Sequence, residues 1–327
     1  MAMQWLILIS SLVVLGIAAN YLVNSSVKIA RLFGVSEIFI GLTIVAWGTS
    51  APEVAVSVNA ALDGQGALSV GNVIGSNIFN LGFILGIVAI IANQKIHKKM
   101  VYRDSVVLFL STLLVLFFLF DGRVEIYEGV IMIGALLSYA TYLVITRDVP
   151  TEELEKIEEG REISHIETPK KKWLYILIFL ISLYVLVKAS DYTVEAATAI
   201  ALTFGISQWA IGVTIVAAGT SLPEVATSII ATMKRKFDIS IGNVIGSDIF
   251  NALGIIGVSS LVAPLTLETG STIFGFPDYI FSQILLIATL ILIVIFMRTR
   301  WTLSRWEGIV LLTIAIARMG FEIYQGM

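Results

Sequence analysis

Ten runs of about twenty mostly apolar residues follow one another through this chain. They lie at 4–26, 36–61, 68–92, 101–120, 125–146, 173–195, 207–232, 239–263, 276–297 and 303–324. A helix rises about 1.5 Å per residue, so each run is long enough to cross the roughly 30 Å hydrocarbon layer of a bilayer. Composition agrees. Hydrophobic residues make up 57% of the 327 and charged residues 14%, against about 45–50% and about 25% in soluble domains. No single soluble core could bury that excess, so the sequence predicts an all-α integral membrane protein. The first run has no basic residue before it, so it reads as a retained spanning helix rather than a cleaved signal. Cysteine is absent, which excludes disulfides, thiolate metal sites and thiol chemistry.

One connection is long and polar. Residues 148–172 carry Glu152, Glu153, Glu155, Glu158, Glu159, Glu162 and Glu167, then Lys170 to Lys172. This reads as a solvated tether, and its acids do not match the spacing of an EF-hand loop. It divides the chain into a first half, 1–147, and a second half, 173–327.

The halves are copies. Gly41 to Ser57 reappears as Gly212 to Ser228 with 13 of 17 positions identical, and Ser69 to Asn80 as Ser240 to Asn251 with 10 of 12 identical. Both pairs are offset by 171, which also pairs Ala30 with Ala201 and Gly34 with Gly205. Five runs per copy is an odd number, so the second copy enters the membrane inverted. Lys and Arg follow the odd-numbered runs almost throughout, with Arg123, Lys188 and Arg318 as exceptions. By the positive-inside rule the linker is cytoplasmic and both termini are outside. Trp5, Trp173, Trp209, Trp301 and Trp306 sit near run ends, as interface anchors do. The predicted fold is therefore ten transmembrane helices in two inverted five-helix repeats, with broken helices at the midplane. Inverted repeats are a signature of secondary transporters, with the substrate site where the copies meet.

The identity between copies is concentrated in polar segments. Gly48-Thr-Ser-Ala-Pro-Glu53 and Gly219-Thr-Ser-Leu-Pro-Glu224 both lie inside apolar runs. A charge at mid-bilayer costs at least about 2.5–3.5 kcal/mol, and such residues are functional by default. Pro52 and Pro223 interrupt a helix. Irregular backbone at membrane depth survives only where it lines a protein cavity. The donors are all hard oxygens: Glu53, Glu224, Thr49, Thr220, Ser50, Ser221, Ser76, Ser247, Asn80, Asn251 and freed carbonyls. Oxygen ligands suit calcium, magnesium or sodium. Calcium accepts six to eight ligands in flexible geometry, which fits a site assembled from two half-helices. The Gly-Asn-Val-Ile-Gly-Ser pieces allow close helix approach. Asp248 breaks the symmetry, its counterpart being Asn77. It points about 100° from Ser247 on a helix, which leaves a cavity role and a pairing role both open. Lys188, Asp191 and Glu195 read as an ion pair or a vestibule lining.

These residues resemble the alpha-repeats of the calcium/cation antiporter superfamily. Gly-Thr-Ser-Ala-Pro-Glu and Gly-Thr-Ser-Leu-Pro-Glu are similar to the sodium/calcium exchanger branch, prokaryotic type. The proton/calcium branch carries Gly-Asn-x-x-Glu in the first segment, and this chain does not. The resemblance implies an antiporter, not an enzyme, that exchanges Ca2+ for Na+ by alternating access. It implies that Glu53 and Glu224 are the central metal ligands. Thr49 and Thr220 would add oxygens, Ala46 and Ala217 backbone carbonyls, and Ser50 and Ser221 hydroxyls. Ser76 and Ser247 would complete sodium sites, while Asn80 and Asn251 would line the middle site. Some members carry an aspartate at the position of Asn251, including the potassium-dependent subgroup; its absence here argues against potassium co-transport, which nearby Asp248 keeps open, and proton/calcium exchange is the other alternative, since glutamates also carry protons. The expected partners are the lipid bilayer and inorganic cations, with no cofactor and no nucleic acid. The internal twofold lets one chain suffice, so a monomer in the cell membrane is expected.

Overall fold

The computed structural model describes residues 1–146, 169–205, 215, 217–267, 272–273 and 275–325. The chain is almost wholly helical, with three two-residue β-ladders among the described residues. In chain order the helices are α1 (Ala2–Phe33), α2 (Glu37–Thr49), α3 (Ala51–Leu62), α4 (Gly66–Ile91), α5 (Met100–Asp121) and α6 (Ile126–Thr146). The second half continues with α7 (Pro169–Thr203), α8 (Ala217–Thr220), α9 (Leu222–Met233), α10 (Phe237–Val262), α11 (Asp278–Arg298) and α12 (Arg305–Gln325).

Seven of these are long and apolar enough to cross a membrane, or eight when the bent pair α2–α3 counts as one span. The seventh expected run begins on residues outside the described set, as do Gly212 to Thr214 of the repeat, Trp209 and most of the 148–172 linker. The tenth run forms α12, a 21-residue helix that carries Glu307, Arg318 and Glu322.

Polarity is distributed as lipid demands. Leu12, Leu110, Phe117, Leu137, Ile145 and Leu177 face outward. Serine, threonine and asparagine side chains are buried inside, together with the carboxyl groups of Glu53, Asp104, Glu128, Glu224 and Asp248. Trp5, Trp173 and Trp306 are exposed near helix ends, the interfacial position expected of them.

The helices form two bodies. α1 and α7 pack antiparallel along their length. Leu15, Ala19, Leu22 and Ala30 meet Tyr175, Phe179, Leu186 and Ala189 in a second cluster, which Ile40 and Val45 of α2 join. Thr193 Oγ1 donates to Ser11 Oγ at 2.9 Å near one end, and Lys28 Nζ lies 4.5 Å from the Tyr175 ring at the other. Both helices end on left-handed glycines, Gly34 at φ 62° and Gly205 at φ 75°, the pair that the 171 offset relates.

The remaining helices share one large core. α10 is its most buried helix and α4 the next. Two ladders brace this body from opposite corners. Gln94–Lys95, after α4, pairs with Thr302–Leu303, and Leu265–Thr266, after α10, pairs with Arg123–Val124. Since Gln94 and Leu265 are 171 apart, the ladders are images of each other.

Candidate functional site

The break between α2 and α3 is a 47° bend at Ser50. Pro52 follows at the first turn of α3. It has no N–H to give to the carbonyl of Gly48, four residues back. The second copy breaks the same way at Ser221, with Pro223 in the first turn of α9. There the carbonyl left without a helical donor, that of Gly219, accepts from Ser190 Oγ of α7 at 2.9 Å. Sequence reading anticipated both interruptions.

Each break puts a glutamate one turn further on, and the two are fully buried. Their hydrogen bonds cross between copies. Ser50 Oγ donates to Glu224 Oε1 at 2.9 Å, and Ser221 Oγ donates to Glu53 Oε1 at 2.9 Å. Glu53 Oε2 and Glu224 Oε2 have no partner among the described residues. A carboxylate oxygen held in a protein interior without a donor is costly and is suited to a cation.

A second crossed set lies beside it. Asn80 and Asn251 both sit at π-helical turns, Asn80–Ile84 in α4 and Phe250–Ile255 in α10. Such turns bulge the backbone and recur at functional sites. Asn80 Nδ2 donates to Asp248 Oδ1 at 2.9 Å, while Asn251 Nδ2 donates to Asn77 Oδ1 at 3.0 Å. Asn77 Nδ2 donates to the carbonyl of Asp248 at 3.1 Å. Asp248 is thus a buried, hydrogen-bonded group whose Oδ2 is unpartnered, as are Asn80 Oδ1 and Asn251 Oδ1.

The other expected residues surround these. Thr49 Oγ1 donates to the Ala46 carbonyl at 3.2 Å and to Asn243 Oδ1 at 3.1 Å, and Ser247 Oγ reaches the same carbonyl at 3.3 Å. Ser76 Oγ is buried without a partner and lines a cavity of about 90 Å³. Thr220 is half-buried, and Ala217 belongs to α8 through its backbone. Gly246 lets α10 touch α2: a Cβ there would fall 2.5 Å from the Leu42 carbonyl oxygen, so only glycine fits.

Several contributors were not singled out from sequence. Asn72 Nδ2 bonds Ser57 Oγ at 2.9 Å and the Glu53 carbonyl at 3.3 Å. Asn243 Nδ2 makes the matching bond in the second copy, to Ser228 Oγ at 3.0 Å. These amides hold the glutamate helices against α4 and α10. Their signal was present, since all four residues recur at the 171 offset. Thr227, one turn after Glu224, has a buried and unpartnered hydroxyl where the first copy has Val56.

On the face that carries the basic loops, a basin of about 1240 Å³ opens between the starts of α2 and α10. Lys236 pairs with Glu37 at 2.7 Å and His97 with Asp238 at 3.2 Å along its wall. Lys188 and Asp191 form the expected ion pair at 2.9 Å, half-exposed on α7.

A family model described as sodium/calcium exchanger protein matches residues 3–145 and 174–324. The chain belongs to the sodium/calcium exchanger family. It is a membrane antiporter of the prokaryotic calcium/cation type. The sodium/calcium exchanger MaX1 of Methanosarcina acetivorans is 32% identical, over 96% of this chain and 97% of its own length. The inner membrane protein YrbG of Escherichia coli is 33% identical, over 79% of each chain. Among solved structures, the sodium-calcium exchanger NCX_Mj soaked in 10 mM Na+ without Ca2+ superposes with a TM-score of 0.82 at 28% identity. That match covers 97% of this exchanger and 98% of NCX_Mj.

Proposed function

We propose that this exchanger moves Ca2+ against Na+ by alternating access, with Glu53 and Glu224 as the central calcium ligands. One observation carries the reading: two buried carboxylates from inverted half-helices, each bonded to the other copy's serine and each with one oxygen left unpartnered. Two such charges balance one calcium ion. Thr49, Thr220, Ser50 and Ser221 supply oxygens around them, and Ala46 and Ala217 supply carbonyls. Ser76 and Ser247 belong to flanking sodium sites, and Asn80 and Asn251 to the middle one.

In this reading ten spans form two inverted halves, 1–147 and 173–327, joined by a cytoplasmic linker at 148–172. Both termini lie outside, in the cell membrane, and one chain is the working unit. If about three sodium ions replace one calcium, one net charge crosses per cycle, worth about 2.3 kcal/mol per 100 mV of membrane potential.

Calcium uptake into proteoliposomes under imposed sodium, potassium and proton gradients, each in turn, tests the coupling. Uptake that follows the sodium gradient is expected. Uptake that ignores sodium and follows pH makes the protein a proton/calcium exchanger. The potassium arm is warranted by Asp248, whose buried Oδ2 has no partner. A requirement for potassium together with sodium moves the protein to the potassium-dependent class.

A further inference from the structure

α2 and α10 lead from the ion site to the basin on the basic face. Ser247 Oγ meets the Ala46 carbonyl at the site, and Ile38, Phe237 and Asp238 line the basin where the two helices begin. Between these points the backbones touch. A Cβ on Gly41 would lie 3.1 Å from the Asp238 carbonyl oxygen, and one on Gly242 would lie 3.2 Å from that of Ile38. An ion that enters the site along these helices therefore crosses the basin first and passes on when the contact parts.

The lining of the basin holds six Lys or Arg side chains against two carboxylates. Both carboxylates are engaged, Glu37 by Lys236 at 2.7 Å and Asp238 by His97 at 3.2 Å. Lys95, Arg235 and Arg305 are exposed and make no ion pair among the described residues. Arg235 adopts the left-handed backbone, at φ 59°, as does its image Gly64 at φ 72°. Glycine enters that region freely and other residues do so uncommonly. The turn that reads Asp63-Gly64-Gln65 in the first copy thus reads Lys234-Arg235-Lys236 in the second, with the sign of its charge reversed. The positive-inside rule accounts for a basic loop. It does not call for an arginine at a position whose backbone suits glycine.

A cleft lined by one sign of charge focuses the field within it. A positive potential depletes a monovalent cation by a Boltzmann factor and a divalent cation by the square of that factor.

We propose that the basin is an electrostatic filter, set by Lys95, Arg235 and Arg305, that disfavours Ca2+ relative to Na+ at the basic face before either ion reaches Glu53 and Glu224. The inference rests on the reading of those glutamates as the exchange site. The three basic residues determine specificity through their field and hold no ion themselves.

Three unit charges about 10 Å from an ion, in water at about 0.1 M salt, change the local concentration of a monovalent ion about twofold. The test combines Lys95→Gln, Arg235→Gln and Arg305→Gln and measures calcium flux in oriented vesicles, with ions added at the basic face and ionic strength fixed by choline chloride. Half-saturating Na+ should fall about twofold and half-saturating Ca2+ about fourfold. At about 1 M salt, where the Debye length is about 3 Å, both shifts should vanish. Arg235→Gly alone, which gives the turn its image residue, should shift both values in the same direction. Lys28→Gln with Arg31→Gln, on the same face but outside the basin lining, should leave both values in place. Equal factors for the two ions, shifts that persist at high salt, or an equal effect from Lys28 and Arg31 overturn the proposal.

A second measurement needs no ion flux. The chain has no cysteine, and Met233 lines the basin with its side chain exposed. With Met233→Cys, the ratio of labelling rates for an anionic and a cationic methanethiosulfonate should fall about fourfold on neutralising the three residues. An unchanged ratio overturns the filter whatever ion drives transport. A fourfold fall in a protein without sodium-driven flux upholds the positive field and refutes the Na+/Ca2+ reading alone.

Discussion

The crossed bonds make a prediction that the linear motif does not. Ser50 and Glu53 belong to one Gly-Thr-Ser-Ala-Pro-Glu segment, yet Ser50 donates to Glu224. Both groups are fully buried, and Glu224 Oε2 is already without a partner. With Glu224 ionised, as at alkaline pH, replacing Ser50 by Ala removes a hydrogen bond to a charged group, a loss of about 1.5–3 kcal/mol. In a Glu224→Gln background the same bond is between neutral groups, so Ser50→Ala should cost only about 0.5–1.5 kcal/mol. In a Glu53→Gln background the full cost should persist. Equilibrium unfolding of the ion-free protein in mixed micelles, run on the four variants of each cycle, measures the two coupling energies. By symmetry, Ser221→Ala should couple to Glu53 and not to Glu224. Coupling within a segment rather than across the copies, or equal losses in both backgrounds, refutes the crossed geometry.

Two further outcomes follow from the same geometry. Glu53→Gln and Glu224→Gln should each abolish calcium flux in proteoliposomes while the protein elutes as a folded species, because one carboxylate undercharges a divalent ion; near-normal flux in either variant removes the site assignment. A cysteine at position 98 should react with an impermeant maleimide only from the cytoplasmic side, and labelling from outside reverses the proposed orientation.

Much of the fold and part of the site were legible in the sequence, for identifiable reasons. Bilayer-length apolar runs leave few choices of backbone, and the 171 offset tied distant segments together. A proline after Gly-Thr-Ser inside such a run announces a broken helix, which is what Ser50 and Ser221 mark. What a linear reading lacks is partner choice. Nothing in the string distinguishes Ser50 bonding Glu53 from Ser50 bonding Glu224, because that depends on how inverted copies meet in space. The same holds for Asp248. Its departure from symmetry was visible, but its bond to Asn80 required the two π-helical turns to be side by side. Asn72 and Asn243 were hidden for another reason. They lie in glycine-rich pieces that read as close packing, and their amides turn out to hold the glutamate helices.

The two small ladders have a mechanical consequence out of proportion to their size. Each ties the end of a central helix to the loop between two outer ones, at opposite corners of the larger body. A brace of this kind resists shear between α4 and α12, and between α10 and α6, in the way diagonal struts stiffen a rectangular frame. The antiparallel pair α1–α7 lies outside both struts. It joins the frame by side-chain packing and single bonds, Val23 and Val27 against Ala231 and Ile239 and Ser190 Oγ on the Gly219 carbonyl, with no ladder to the frame among the described residues. The compliance of the molecule is therefore concentrated along one seam, and that seam runs past both broken helices.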